Sequence, residues 1–175
     1  IETAKYLIEN GFVVIRVGSI VKKPINFSHK KMIDYPYTMH KNEFMDIFIH
    51  AHCKFLITIG SSGINSAATI FDRPILFANI VEFNEKPFGK DCLFFPIKYK
   101  YINKNEYLHF RDIPQTHNWY INPSEFGLKA ECPSELDILE ATQEMLARVE
   151  GRFSYSLESE RLTQAYYKLR NKLDI

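Results

Sequence analysis

The chain has 175 residues, 46% of them hydrophobic and 25% charged, so it suits one globular domain with a short tail. Lysine and arginine number 22 and aspartate and glutamate 21, a balance that gives no electrostatic case for nucleic acid as the main partner. No apolar run reaches the ~18 residues that a membrane-spanning helix needs, so we expect no transmembrane segment. Peripheral association with a membrane stays open.

The cysteines are too widely spaced for a zinc motif. Cys53, Cys92 and Cys132 form no C-x-x-C pair, and no cysteine–histidine cluster has zinc spacing. We therefore expect free thiols in a reducing, cytoplasmic compartment and no bound metal. Because the sequence starts at Ile1, inside an amphipathic pattern, we also expect further chain upstream.

Strands and helices alternate along the first half of the chain. Amphipathic patterns predict helices over 2–10, 42–52 and 64–71. The strongest strand patterns are β-branched and apolar and lie at 12–17, 54–59 and 75–79, with shorter strands predicted at 32–35 and 93–95. This order is typical of right-handed parallel crossovers. It predicts an α/β fold of Rossmann type, a parallel sheet with helices on both faces.

The helix predicted over 42–52 has a typical N-cap residue, Asn42. Its apolar residues recur at helical spacing, at Phe44, Ile47, Phe48 and Ala51. We expect this stripe to be the buried face of the helix.

The last third of the chain is predicted to be mainly helical, after an aromatic stretch without a clean period and an edge strand over 128–131. Ser134 and Asp137 have the spacing of a capping box, and that helix is expected to stop at Gly151. A final amphipathic helix should begin near residue 157.

The predicted domains follow from this division. Residues 1–151 would form a domain of Rossmann type. Residues 152–175 would form a helical tail that packs on this domain or on a missing N-terminal domain.

In open parallel sheets, ligands bind outside the carboxyl ends of the strands, where three loops of this chain are predicted. The loop Gly60-Ser61-Ser62-Gly63 lies directly between a strand and a helix. Its glycines allow close backbone approach, and its hydroxyls and free amides suit a diphosphate or a carboxylate, although a simple helix cap is the alternative. The spacing fits neither a dinucleotide fingerprint, nor a nucleophile elbow, nor a P-loop.

Three charged residues stand near the predicted strand ends. Arg16 could form bidentate contacts with a phosphate, and a structural ion pair is the alternative. Asp34 could bind a ribose or a base edge, with Tyr35 and Tyr37 as a stacking wall, and a turn-forming role is the alternative. Glu82 lies just past the third strand, at a usual height for ligand contact, and a solvated loop charge is the alternative.

Several motifs carry a resemblance to known families. The order Ser62-Gly63, Ala67-Ala68, Pro74 is similar to the donor-binding half of two-domain (GT-B type) bacterial heptosyltransferases. A longer series resembles a family of bacterial surface-polysaccharide glycosyltransferases of GT-B type. That series is FVVIRVG (12–18), IDY (33–35), FMDI (44–47), CKF (53–55), SSGI (61–64) and PFGK (87–90).

The resemblance implies the donor-binding domain of a glycosyltransferase, which moves a sugar from a nucleoside-diphosphate sugar to a glycan or lipid-linked acceptor. Arg16 and the amides of the 60–63 loop would stabilise the departing nucleoside diphosphate. The chain has no D-x-D triplet, so neither a metal nor another cofactor is implied. The missing N-terminal domain would supply the acceptor site, and the chain alone would be inactive. The alternatives are a non-catalytic binding or assembly module and a nucleotide-sugar epimerase-like domain.

Overall fold

The computed structural model describes residues 1–59, 63, 65–80, 91–109, 112 and 122–173. Single-turn 3-10 helices lie at Tyr35–Tyr37 and Pro123–Phe126. In chain order the strands and α-helices of this part are α1 (Glu2–Glu9), β1 (Val14–Arg16), β2 (Met32–Asp34), α2 (Glu43–His52), β3 (Leu56–Thr58), α3 (Asn65–Ile70), β4 (Ile75–Ile80), β5 (Leu93–Pro96), β6 (Lys98–Tyr101), β7 (Leu128–Glu131), α4 (Glu135–Val149) and α5 (Leu157–Leu173).

The strands form three hydrogen-bonded groups, two of them parallel. β1 pairs in parallel with β2. β3, β4 and β5 form a parallel sheet in that order, and β6 pairs antiparallel with β7. The structure is therefore mixed α/β with parallel strands, and it is compatible with a Rossmann-like fold. Among the described helices, none has the length and apolarity needed to cross a membrane.

One feature of the sheet differs from the prediction. The sequence predicted one sheet around 12–17, 54–59 and 75–79, but in the described residues β1 has no ladder with β3. The residues ahead of these two strands do meet, since the rings of Phe12 and Phe55 touch edge to face with centroids 6.5 Å apart. At the amino ends of β1 and β3, the contact between the two segments is thus made by the rings of Phe12 and Phe55 and not by a backbone ladder.

The turn and cap signals of the sequence are confirmed. α1 ends before Gly11, whose φ of +93° is accessible mainly to glycine. α4 begins with the predicted capping box: the Ser134 hydroxyl accepts from the Asp137 amide at 3.1 Å, and the Asp137 carboxylate accepts from the Ser134 amide at 2.8 Å. Gly151 then takes a φ of +68° just after the helix.

The buried side chains come from several separate contacts between elements. α1 lies against α4, and α2 against α3. α5 is anchored through Tyr166, whose ring lies 5.1 Å from that of Phe94. The fully buried side chains of the sheet and of α4 are Ile75, Leu76, Thr142, Met145 and Leu146.

Of the apolar stripe that the sequence predicted to be the buried face of α2, only Ala51 is buried. Phe44, Ile47 and Phe48 are 70%, 51% and 41% exposed, whereas His50 and Ala51 are buried. α2 carries apolar residues on more than one side, so its periodicity does not determine which side packs. α2 packs against α3, and His50 and Ala51 are the residues of α2 that are buried. Three large apolar side chains of α2 are consequently left at the surface.

Candidate functional site

The carboxyl ends of β1 and β2 carry an ion pair. Arg16 and Asp34 are direct partners in the parallel register. Arg16 Nη1 donates to Asp34 Oδ1 at 3.1 Å and to Oδ2 at 3.2 Å. The two side chains are 28% and 18% exposed, so the pair is largely shielded from solvent but still reaches the surface.

The loop that follows β1 is tied to this ion pair by backbone contacts. The carbonyl oxygen of Lys23 accepts from Arg16 Nη1 at 3.0 Å, and the amide of Ile25 donates to Asp34 Oδ2 at 2.8 Å. Lys41 Nζ donates to the carbonyl oxygens of Gly18 and Ser19, both at 3.2 Å. The sequence did not indicate the role of Lys41, because a long-range contact to a backbone carbonyl leaves no local pattern.

Part of the Arg16 guanidinium has no hydrogen-bond partner among the described residues. Its hydrogen bonds to Asp34 and Lys23 all use Nη1, and within the described residues no partner contacts Nε or Nη2. A guanidinium has five N–H groups, so three remain for another ligand. Nε and Nη2 form one edge of the planar fork, which matches two oxygens of a phosphate or a carboxylate.

The two tyrosines beside Asp34 differ in what they can contact. Tyr35 is 3% exposed, and its hydroxyl donates to the Asn42 carbonyl and accepts from the Asn42 amide, both at 3.2 Å. Burial raises the pKa of the Tyr35 hydroxyl. Tyr35 therefore supports the start of α2, whereas Tyr37 is 48% exposed and is available for stacking on a ligand.

The predicted anion loop is only partly within the described residues. Gly60, Ser61 and Ser62 lie outside them, as does Glu82. Gly63 is exposed and does not have the left-handed φ of Gly11, and a Cβ atom added to it would meet no other atom within 4 Å. Its backbone therefore does not require glycine, and any need for glycine would come from close approach of a ligand.

The end of β4 carries a polar side chain that sequence reasoning did not single out. Asn79 Nδ2 lies 3.8 Å from Cys132 Sγ, and Asn79 Oδ1 is buried without a hydrogen-bond partner in the described part of the chain. Its position at the carboxyl end of a predicted strand was the available signal. Buried carbonyl oxygens usually accept a hydrogen bond, so Asn79 Oδ1 is an acceptor for which the described residues supply no donor.

The cysteines give no sign of an activated thiolate. Burial raises the pKa of Cys53 and of Cys92, which keeps both as thiols. Cys132 is exposed. In the ranges that the structure describes, no three His, Cys, Asp or Glu side chains are grouped to hold a metal ion.

Comparisons of the chain with protein-family models, with curated proteins and with solved structures found no match. Any function assigned to the chain therefore depends on its residues and on the resemblance that their motifs carry.

Proposed function

We propose that the chain is the donor-binding domain of a glycosyltransferase, with the diphosphate of a nucleotide sugar bound beside Arg16. The observation that carries this proposal is the Nε and Nη2 edge of Arg16, which has no partner among the described residues and lies at the carboxyl end of a parallel strand. Open parallel sheets bind their ligands outside the carboxyl ends of the strands. The resemblance to GT-B enzymes of surface-polysaccharide synthesis supplies the reaction class.

Asp34 is a positioning residue in this proposal. Its carboxylate offsets the charge of Arg16, so the pair as a whole attracts an anion only weakly. Directed hydrogen bonds from the fixed guanidinium would then provide most of the selectivity for a diphosphate. The exposed side chains of Lys22 and Lys23, on the same loop, add a positive field without fixed geometry.

The chemistry of this proposal is electrostatic. When the bond between the sugar and the diphosphate breaks, negative charge builds up on the departing phosphate oxygen. N–H groups that are already in place stabilise that charge without having to reorganise. Arg16 and the amides of the 60–63 loop would share this task. The acceptor site and the general base would come from another domain, so we expect donor binding and no turnover by this chain.

The experiment is a thermal-shift panel with UDP, GDP, ADP, dTDP and CMP. A nucleotide at a hundred times its Kd stabilises the folded state by about 2.7 kcal/mol, and for a chain of this size that raises Tm by roughly 5–10 °C. We expect the diphosphate of one nucleoside to raise Tm by this amount. The monophosphate of the same nucleoside should raise Tm much less. No shift with any nucleotide, in a sample whose melting is cooperative, would contradict the proposal.

A non-catalytic binding module remains a second candidate, because α2 exposes large apolar side chains. Phe44 and Ile47 are 70% and 51% exposed on neighbouring turns, as expected for a protein-contact surface. This candidate predicts that Phe44→Ser abolishes capture of a protein partner and that no nucleotide shifts Tm.

A further inference from the structure

A cavity of about 590 Å³ borders β1 and β3, and residues of α1 and α2 complete its wall. This volume lies within the ~300–1,000 Å³ of typical small-molecule sites. β1 and β3 have no hydrogen-bonded ladder with each other among the described residues, so the cavity occupies the place where two strands of one sheet would otherwise meet. An opening between neighbouring strands gives a ligand access to both.

Much of the wall is apolar and remains accessible. Val13, Ile15 and Phe48 border the cavity and are 56%, 37% and 41% exposed. Covering such side chains removes apolar surface from water, which favours a ligand with a hydrocarbon body.

The wall of the cavity carries four basic side chains. They are Arg16, His50, His52 and Lys54, and none of the described residues that border the cavity is an aspartate or a glutamate. Arg16 is already paired with Asp34. His50 is 2% exposed, and its Nε2 atom is out of reach of solvent. Arg16 is held by Asp34 and Lys23 through Nη1, and His50 is out of reach of solvent, so we assign the acidic group to the two basic side chains that are exposed.

The remaining two basic side chains are exposed. The ring of His52 is stacked on that of Phe48 at 4.1 Å, and His52 Nδ1 contacts the Phe48 carbonyl oxygen at 2.9 Å, so only Nε2 is left for a ligand. Lys54 makes no ion pair with any described residue. Both can meet an anionic group at the solvent side of an apolar cavity.

We propose that this cavity binds an anionic amphiphile: a hydrocarbon chain lies against Val13, Ile15 and Phe48, and an acidic head group contacts Lys54 and His52. The head group is a carboxylate or a phosphate monoester, since each offers oxygens to both basic side chains. Binding of this ligand requires no nucleotide, although Arg16, the residue on which the proposed function rests, also borders the cavity.

The binding experiment uses calorimetric titration of the wild-type chain with decanoate, decyl phosphate and decanol, below their micellar or solubility limits. We expect both anions to bind with a stoichiometry of one and about two- to fivefold more tightly than decanol, the range of an exposed ion pair. Tighter binding of decyl phosphate would indicate a lipid phosphate as the natural ligand, and tighter binding of decanoate a free fatty acid. Absence of binding by both anions would overturn the proposal.

Two matched pairs of variants locate the site. Ile15→Trp fills the cavity, whereas Ile33→Trp alters the register partner of Ile15, which is equally exposed (38% against 37%) but does not border the cavity. We expect the first variant to lose binding and the second to keep it. Equal loss in both would overturn the site.

The head-group contact is tested with Lys54→Gln, and Lys30→Gln is the control because Lys30 is exposed and away from the wall. We expect Lys54→Gln to weaken decanoate about two- to fivefold while decanol is unaffected. Unchanged decanoate affinity in Lys54→Gln would overturn the assignment of an anion.

Discussion

Arg16 and Asp34 stand opposite each other across β1 and β2, and their ion pair uses a single nitrogen of the guanidinium. A bidentate ion pair through both terminal nitrogens would have occupied Nη1 and Nη2 and left little of the guanidinium for a ligand. The observed arrangement fixes the side chain, and its Nε and Nη2 edge has no partner in the part of the chain that the structure describes. An ion pair that is structural in appearance is thus compatible with a binding role for the same arginine.

The first prediction concerns that free edge. Arg16→Lys keeps the charge beside Asp34 but removes the planar fork, so we expect the best nucleoside diphosphate to bind about tenfold more weakly, by roughly 1.4 kcal/mol. Calorimetric titration measures this. Arg73→Lys is the control, because Arg73 precedes the amino end of β4 and its Nε donates to the Phe71 carbonyl. Equal affinities of wild type and Arg16→Lys would exclude a bidentate contact.

The second prediction concerns the loop before α3. Because Gly63 has open space around it and no left-handed φ, we expect Gly63→Val to remain folded, with the free energy of unfolding changed by about 0.5 kcal/mol or less. A bound diphosphate near this backbone would clash with the new side chain, so affinity should fall severely. Ser62→Ala should lower it only about tenfold to a hundredfold, because a hydrogen bond to a charged group contributes roughly 1.5–3 kcal/mol. If calorimetry shows that Gly63→Val binds the nucleoside diphosphate as tightly as wild type, the loop serves only as a helix cap.

The third prediction concerns pH. The hydroxyl and the amide of Ser134 donate to the Asp137 carboxylate, and the hydroxyl bond is the main reason that the pKa of Asp137 is lowered. Since the folded-state pKa lies below the unfolded one, this stabilisation is complete above the unfolded-state value of about 3.9 and is lost as the pH falls through the folded-state pKa. Urea unfolding at pH 7 and pH 3 measures the free energy of unfolding at each pH. Its decrease from pH 7 to pH 3 should therefore be smaller for Asp137→Asn than for wild type. Glu140→Gln, on the exposed side of the same helix, should keep the wild-type decrease.

The fourth prediction concerns His50. Its Nδ1 lies 2.7 Å from the Asp46 carbonyl oxygen and must donate to it, because a carbonyl has no proton to give. Nε2 is buried and has no hydrogen-bond partner in the described residues. His50→Leu removes this unsatisfied atom and should raise the free energy of unfolding by about 1 kcal/mol.

His52→Leu is the control for His50, because His52 makes the same kind of contact to a carbonyl but is exposed. Its change should stay within about 0.5 kcal/mol. If chemical denaturation shows that His50→Leu is the less stable protein, Nε2 has a partner such as an ordered water.

The sequence predicted local features well because their causes are local. Caps at Asn42 and Ser134, and the stop at Gly151, depend on residues within one helical turn, and all three are confirmed. Pairing between distant segments was harder. The strand β6 was not foreseen, because its alternating lysines and tyrosines lie in an aromatic stretch without a clear period, and its partner β7 follows some thirty residues later in the chain.

The candidate site was predictable in position but not in geometry. That Arg16 lies at a strand end follows from the apolar run before it. That Asp34 faces it depends on the register of two strands separated by a long loop, which no local pattern encodes. The same limit applies to α2, where Phe44 is exposed although the apolar stripe predicted it to be buried, and His50, which lies outside that stripe, is buried. Which face packs was decided by the neighbouring helix.

The contact between α1 and α4 has a consequence for synthesis in the cell. α1 is synthesised long before α4, yet the two helices pack against each other. More than 120 residues separate the end of α1 from the start of α4, so during translation this contact forms only after α4 has left the ribosome. A nascent chain with this layout depends on chaperones early, and a product truncated before α4 would be prone to aggregation.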